Sequence, residues 1–211
     1  MFKNLSVRSK LFMTVSIPLS AMIIISIIAV ISMNYIYNNL DSKIKKQSYE
    51  AISLVLNADR DMYQAMLASK QYLYESANLE AKEKNRETFD QNTKEAVDRV
   101  NKAKSKFPQN DDFWGTYKDK NNKLIYQHFD EFSISFNVWR EGTIGFMRLG
   151  KNNLSDDEFA KARECLNLIG EMIDSGTDEI IEICNSDKNM KTVTMFIFGL
   201  VVFLGVLAFA Y

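Results

Sequence analysis

Twenty-three consecutive residues, Leu11–Met33, carry no ionisable side chain, and a second uncharged run, Val193–Tyr211, closes the chain. At about 1.5 Å per helical residue the first run reaches about 34 Å, enough to cross a hydrocarbon core of about 30 Å. Backbone in lipid must satisfy its polar groups internally, so both runs are predicted to be transmembrane helices. Pro18 falls in the first third of the first run and is compatible with a kinked span. The run is longer than the apolar core of a cleaved signal peptide, about 7–15 residues, and Tyr35, Tyr37 and Asn38 follow it in place of a small-residue cleavage site. It is therefore expected to stay as an anchor. A chain end with no polar flank is unexpected in mid-membrane, so the sequence reads as cut at or near the end of its second span.

Between the runs the chain is polar. The mean hydropathy of −0.20 averages two apolar ends with a highly charged middle. The net charge of −1, from 26 Lys and Arg against 27 Asp and Glu, gives no footprint for nucleic acid. One His and two Cys supply too little for a zinc site or a His-based catalytic constellation. No P-loop, G-x-S-x-G or H-E-x-x-H occurs, so neither enzymatic activity nor a cofactor is expected. Lys3, Arg8 and Lys10 precede the first span without an acid and place the N-terminus in the cytoplasm. Residues 34–192 are then extracytoplasmic. Lys43, Lys45 and Lys46 pull the other way, but long loops translocate largely regardless of charge.

Helical periodicity fills this middle segment. Ala51, Val55, Ala58, Met62, Ala65, Ser69 and Tyr72 alternate spacings of four and three, a seam expected to continue from the first span, with a break at Asn78. Phe89, Thr93, Ala96, Val100, Ala103 and Phe107 form the stripe of a second helix, from about Leu79 until Pro108 stops it. A third helix is predicted to start near Asp111, with Ile125, Phe129, Phe132, Phe136, Trp139, Thr143 and Phe146 on one face, fraying through Gly142, Gly145 and Gly150. Ser155 to Glu158 match a capping box for the fourth, whose stripe is Phe159, Ala162, Leu166, Ile169, Ile173 and Ile180. Only 8 Gly and 2 Pro are present, and connections are expected to be short, near 76–79, 108–111 and 150–155. The fold class is all-α: an antiparallel up-down-up-down four-helix bundle whose outer helices run into the two spans. The expected division is a tail at 1–10, spans at 11–33 and 193–211, and the bundle at 34–192.

The first bundle helix carries a second stripe, Leu56, Arg60, Tyr63, Leu67, Lys70 and Tyr74. Arg60 lies about 160° around the helix from Met62, far from the seam. A helix that packs on two faces suits a homodimer, with Leu56, Arg60, Tyr63, Leu67 and Tyr74 at the interface; a solvated face with scattered apolar residues is the alternative. Arg60, with Asn57, Tyr63 and Gln64 about a turn away, is the candidate ligand site, its guanidinium suited to a carboxylate or phosphate. Flanked by Asp59 and Asp61, it also reads as an exposed arginine among acids.

The remaining candidates have plainer readings. Phe129, Phe132, Phe136 and Trp139 are core at helical spacing before they are a pocket, and Trp114 is a cap on that core. His128 has no neighbouring ligand for a metal. Cys165 and Cys184 lie about 28 Å apart on one helix and point about 100° apart, so they are expected to stay thiols. Lys94, Arg99, Lys102, Lys104 and Lys106, interleaved with Glu95 and Asp98, form a solvated face.

Two stretches carry a family resemblance. Lys3-Asn-Leu-Ser-Val-Arg-Ser-Lys-Leu11 runs straight into the first span, and Leu56-Asn-Ala-Asp-Arg-Asp-Met-Tyr-Gln-Ala65 follows that span by about 25 residues. With the layout of the whole chain they resemble the N-terminal half of bacterial methyl-accepting chemotaxis receptors. The resemblance implies a homodimer in the inner or plasma membrane. It implies sensing of a small molecule or a ligand-binding protein, and a cytoplasmic continuation, a HAMP linker and methylated coiled coil, that acts on a histidine kinase and its adaptor. Aspartate-type members grip ligand carboxylates with arginines on the first bundle helix. Arg60 lies near that place, but Ala65 and Ser69 stand where further arginines would fall, so the ligand stays open. The same input layout also fits a sensor histidine kinase or a cyclic-dinucleotide enzyme, and a two-span membrane protein without signalling output is the rival from another class.

Overall fold

The computed structural model describes residues 6–74, 78–149 and 156–210. Lys3 to Leu5 of the basic tail, Gly150, Ser155 of the expected capping box and Tyr211 lie outside the described residues. Five α-helices are present among those described: α1 Val7–Asn39, α2 Glu50–Tyr74, α3 Leu79–Lys104, α4 Ile125–Leu149 and α5 Asp156–Ala210, with a π-helical segment Leu40–Tyr49 between α1 and α2. No strand forms among the described residues; Lys118 and Leu124 make one isolated antiparallel bridge. The chain divides into a unit formed by its two ends, up to Ser42 and from Ile180, and a second unit, Lys43–Glu179.

In the first unit α1 and the end of α5 are each long and apolar enough to cross a membrane. Their large apolar side chains point outward on several sides, among them Phe12, Ile23 and Ile31 on α1 and Phe196, Val201 and Phe203 on α5. That all-round pattern suits a helix solvated by lipid. The hydroxyls of Ser20 and Ser26 donate to the carbonyls of Ile17 and Met22, so these polar groups are met within α1. Just beyond the uncharged stretches the Lys191 ammonium lies 4.5 Å from the Tyr35 ring centroid.

In the second unit α2 buries Ala51, Val55, Ala58, Met62, Ala65 and Ser69, the seam read from their spacing. Opposite it α3 buries Phe89, Thr93, Ala96, Val100 and Ala103. Asp61 pairs with Arg99, Glu50 with Lys106, and Lys82 lies over the Tyr72 ring, an order that belongs to two helices running in opposite directions. The small residues of these faces leave room for the rings of α4, where Phe129, Phe132, Phe136 and Trp139 are all buried. Trp139 packs on Phe89 of α3 and on Phe159 of α5. Burial of each such ring contributes about 1.5–3 kcal/mol, so these aromatics are core.

Three boundaries differ from expectation. α3 ends at Lys104, although Phe107 remains buried beyond it. α4 starts at Ile125 and not near Asp111, because the Asp111 carboxylate accepts from the N–H groups of Phe113 and Trp114 and closes a turn that is not propagated. It then runs as helix through Gly142 and Gly145 to Leu149. Between α1 and α2 the winding is π: the Ser48 hydroxyl donates to the Lys43 carbonyl five residues back, and Ile44 and Ser48 are buried.

Candidate functional site

The outer stripe of α2 is the face on which ligand and partner contacts were placed by spacing. Leu56 is 65% exposed, Leu67 55% and Tyr74 86%, so these apolar side chains are largely open to solvent. Lys70 is half-buried. A single exposed leucine needs no explanation, but these three apolar side chains on one helical line, with Tyr63 42% exposed between them, form a patch.

Arg60 sits on this stripe with its side chain 54% exposed. Its guanidinium is turned along the helix to Asp61, with Nη2 2.9 Å and Nε 3.2 Å from Oδ1. The second oxygen of Asp61 accepts from Arg99 Nε at 2.6 Å, and Asp61 itself is buried. One buried carboxylate therefore holds two guanidiniums, one from each of two helices, and this hydrogen bond raises the pKa of Arg99 above its usual value. An anion arriving at Arg60 competes with Asp61, which already holds that guanidinium.

The other members of the expected site are dispersed. Asn57 Nδ2 donates to the Ser53 carbonyl at 2.7 Å, a bond along its own helix. Gln64 is exposed. Tyr63 stands edge-on to Phe159 at 5.7 Å, and the Arg163 guanidinium lies 4.2 Å from its ring centroid. Arg163 is held there by Asp59, which accepts from Nε at 2.7 Å and from Nη2 at 3.3 Å, and that hydrogen bond raises the arginine pKa. The structure thus places Arg60 towards α3 and Tyr63 towards α5, and does not converge the four residues on one point. The partners Arg99 and Arg163 carry no local signal that distinguishes them from other solvated arginines.

The connection 105–124 forms a second polar cluster. Asp119 accepts from the N–H groups of Asn121 and Lys123 and lies 3.0 Å from His128 Nε2. Asn122 closes this turn at φ 64°, a left-handed conformation that asparagine tolerates. Burial alone would raise the Asp119 carboxyl, but the N–H of Lys123 and the His128 ring hold it below its ordinary value. Cys165 is a buried thiol, and that burial pushes its pKa up. Among the described residues no three His, Cys, Asp or Glu side chains are grouped to hold a metal ion.

No protein-family description, curated protein or solved structure matches this chain.

Proposed function

We propose that this chain is the sensory and transmembrane part of a transducer of the methyl-accepting chemotaxis receptor type, without enzymatic activity of its own. In this reading α1 and the end of α5 cross the inner or plasma membrane, the N-terminus is cytoplasmic and residues 34–192 face the outside. α2, α3, α4 and the first part of α5 form an antiparallel up-down-up-down bundle, paired with a second copy through the outer stripe of α2. A small molecule or a binding protein biases the bundle, and a displacement of its helices passes through the second span to a histidine kinase and adaptor.

The observation that carries the reading is α5. This one helix, Asp156–Ala210, buries Phe159, Ala162, Leu166, Ile169 and Ile173 at one end and is uncharged from Val193 at the other. A stiff helix that is both part of a packed core and apolar enough to span lipid supports mechanical coupling between the two. The test is the gene sequence past the codon for Tyr211, followed by a chimera with a chemoreceptor signalling region. A basic flank, a helical linker and a long Glu- and Gln-bearing heptad coiled coil are the expected result. A kinase or cyclase domain would keep the sensor and change its output, and a stop codon in an intact gene would overturn the transducer.

A further inference from the structure

α1 and the last part of α5 do not close on one another along their whole length. One cavity of about 190 Å³ lies between them beside Ile25, Ile28, Met195 and Phe198, and another of about 230 Å³ beside Pro18, Ile25, Gly199 and Phe203. Ile25 lines both, so they form one groove along the helix pair. At about 1.5 Å per residue it runs about 15 Å from Pro18 to Ile28. The gap has a local cause. Gly199 has no side chain, nothing stands within 4 Å of the position its β-carbon would take, and Ala21 on the facing helix offers only a methyl group. The walls are open to an occupant: Ile28 is 43% exposed, Phe198 40% and Phe203 59%, and Ile25 and Met195 are half-buried. The Thr194 hydroxyl donates to the Met190 carbonyl at 2.9 Å, so this stretch of wall presents carbon.

The mouth of the groove is cationic. Lys191 lines it one turn before Met195, and its ammonium stands 4.5 Å from the Tyr35 ring centroid with no ion-pair partner among the described residues. The neighbouring charges, Asp187 and Lys188, do not line the groove. Length, width and charge together select the occupant. About 15 Å is half of a hydrocarbon core of about 30 Å, the depth of one leaflet. A further helix, about 10–12 Å across with its side chains, would rest on the rims, whereas a single acyl chain enters. A lysine beside a tyrosine at the interfacial end favours a headgroup of net negative charge. We propose that the groove between α1 and α5 holds one acyl chain of an anionic phospholipid of the outer leaflet, with the lipid phosphate on Lys191. The assignment rests on the reading of two spans with residues 34–192 outside, and it adds a lipid partner that the sensor reading does not require.

The experiment places the full 211-residue chain in nanodiscs of equimolar phosphatidylcholine and phosphatidylglycerol and counts the lipids it retains by native mass spectrometry. One phosphatidylglycerol per chain is expected, retained about fivefold over phosphatidylcholine, the effect of one basic side chain at an anionic headgroup. Lys191→Gln should remove that preference. Gly199→Leu, which keeps every charge and fills the groove, should release the lipid. Lys188→Gln, a lysine one turn away and outside the groove, should change neither. A chain that stays out of the disc overturns the two spans and this proposal together. A chain that enters and retains both lipids equally overturns this proposal alone. So does Lys188→Gln acting as strongly as Lys191→Gln, which means diffuse attraction to a basic interface, or a Gly199→Leu chain that retains lipid like the parent. Lipid on monomers with none on dimers assigns the groove to the second copy and overturns it too.

Discussion

The six-membered ring of Trp114 lies against the backbone of Gly176: a β-carbon at that glycine would stand 2.5 Å from Cη2 and 2.6 Å from Cζ3. The ring also meets Phe107 and Tyr117 edge-on at 4.9 and 5.6 Å, so the connection 105–124 is clamped on α5 through a position that only glycine fits. Gly176→Ala is therefore expected to cost about 1–3 kcal/mol by overpacking, read as a lower unfolding midpoint and altered tryptophan emission. Gly145→Ala, with nothing within 4 Å of its β-carbon, should stabilise α4 by up to about 1 kcal/mol. Equal effects from the two substitutions would remove the clamp.

Asp61 is the carboxylate on which α2 and α3 meet. Asp61→Ala leaves Arg99, which is 31% exposed, with only the longer contact to Glu95 at 3.5 Å, and the expected cost is about 2 kcal/mol. Arg60→Ala removes only the more exposed partner of the same carboxylate and should change stability by less than about 0.5 kcal/mol. Thermal unfolding of the two variants, compared side by side, checks this. If Arg60→Ala costs as much as Asp61→Ala, Arg60 has a structural role that its exposure conceals.

How far the sequence could be read follows the range of the interactions. The seam of α2 was legible because Ala51, Val55, Ala58, Met62, Ala65 and Ser69 repeat along one helix, and repetition is a local signal. At Asp111 the spacing points to a helix start that the structure does not show: an aspartate that accepts from residues two and three ahead closes a turn and begins a helix with the same bonds. What decides between them is Gly115, where a β-carbon would stand 2.4 Å from the Gln109 carbonyl, a contact between loop strands that no spacing reveals. The scatter of the candidate site has the same physical origin. Arg60 and Tyr63 share a stripe by periodicity, but Asp61 turns one towards α3, and Arg163, 104 residues from its partner Asp59, fixes the other towards α5.

The connection should be the most acid-sensitive part of the extramembrane unit. Burial alone would raise the Asp111 carboxyl, but the N–H groups of Trp114 and Phe113 and the nearby Lys43 hold it below its ordinary value of 3.8, and Asp119 is shifted the same way. A carboxylate with a lowered folded-state pKa contributes its full stability above the unfolded value, and that contribution is lost as pH falls through the folded value. Loosening of residues 105–124 is therefore expected only below about pH 4. Near-ultraviolet circular dichroism of Trp114 follows it. Asp111→Asn keeps an acceptor without the titration, so it should flatten the acid limb, and an unchanged limb would assign the effect elsewhere.

The exposed line Leu56, Tyr63, Leu67 and Tyr74 makes the dimer testable in the membrane. These positions are spaced by seven, four and seven, the alternation of a helix–helix seam, and Leu56 and Leu67 are more than half exposed. A cationic side chain near a two-fold axis would repel its own copy, but Arg60 is paired with Asp61 at 2.9 Å, which offsets part of its charge and lets this stripe approach its equivalent. In a background with Cys165 and Cys184 replaced by Ala, Leu67→Cys or Tyr63→Cys is expected to crosslink between copies under mild oxidation. Ala58→Cys, wholly buried in the seam, should stay silent. Asp61→Asn should weaken the crosslink by releasing the charge of Arg60 at the interface, whereas a chain covered there only by solvent would give no crosslink at either position.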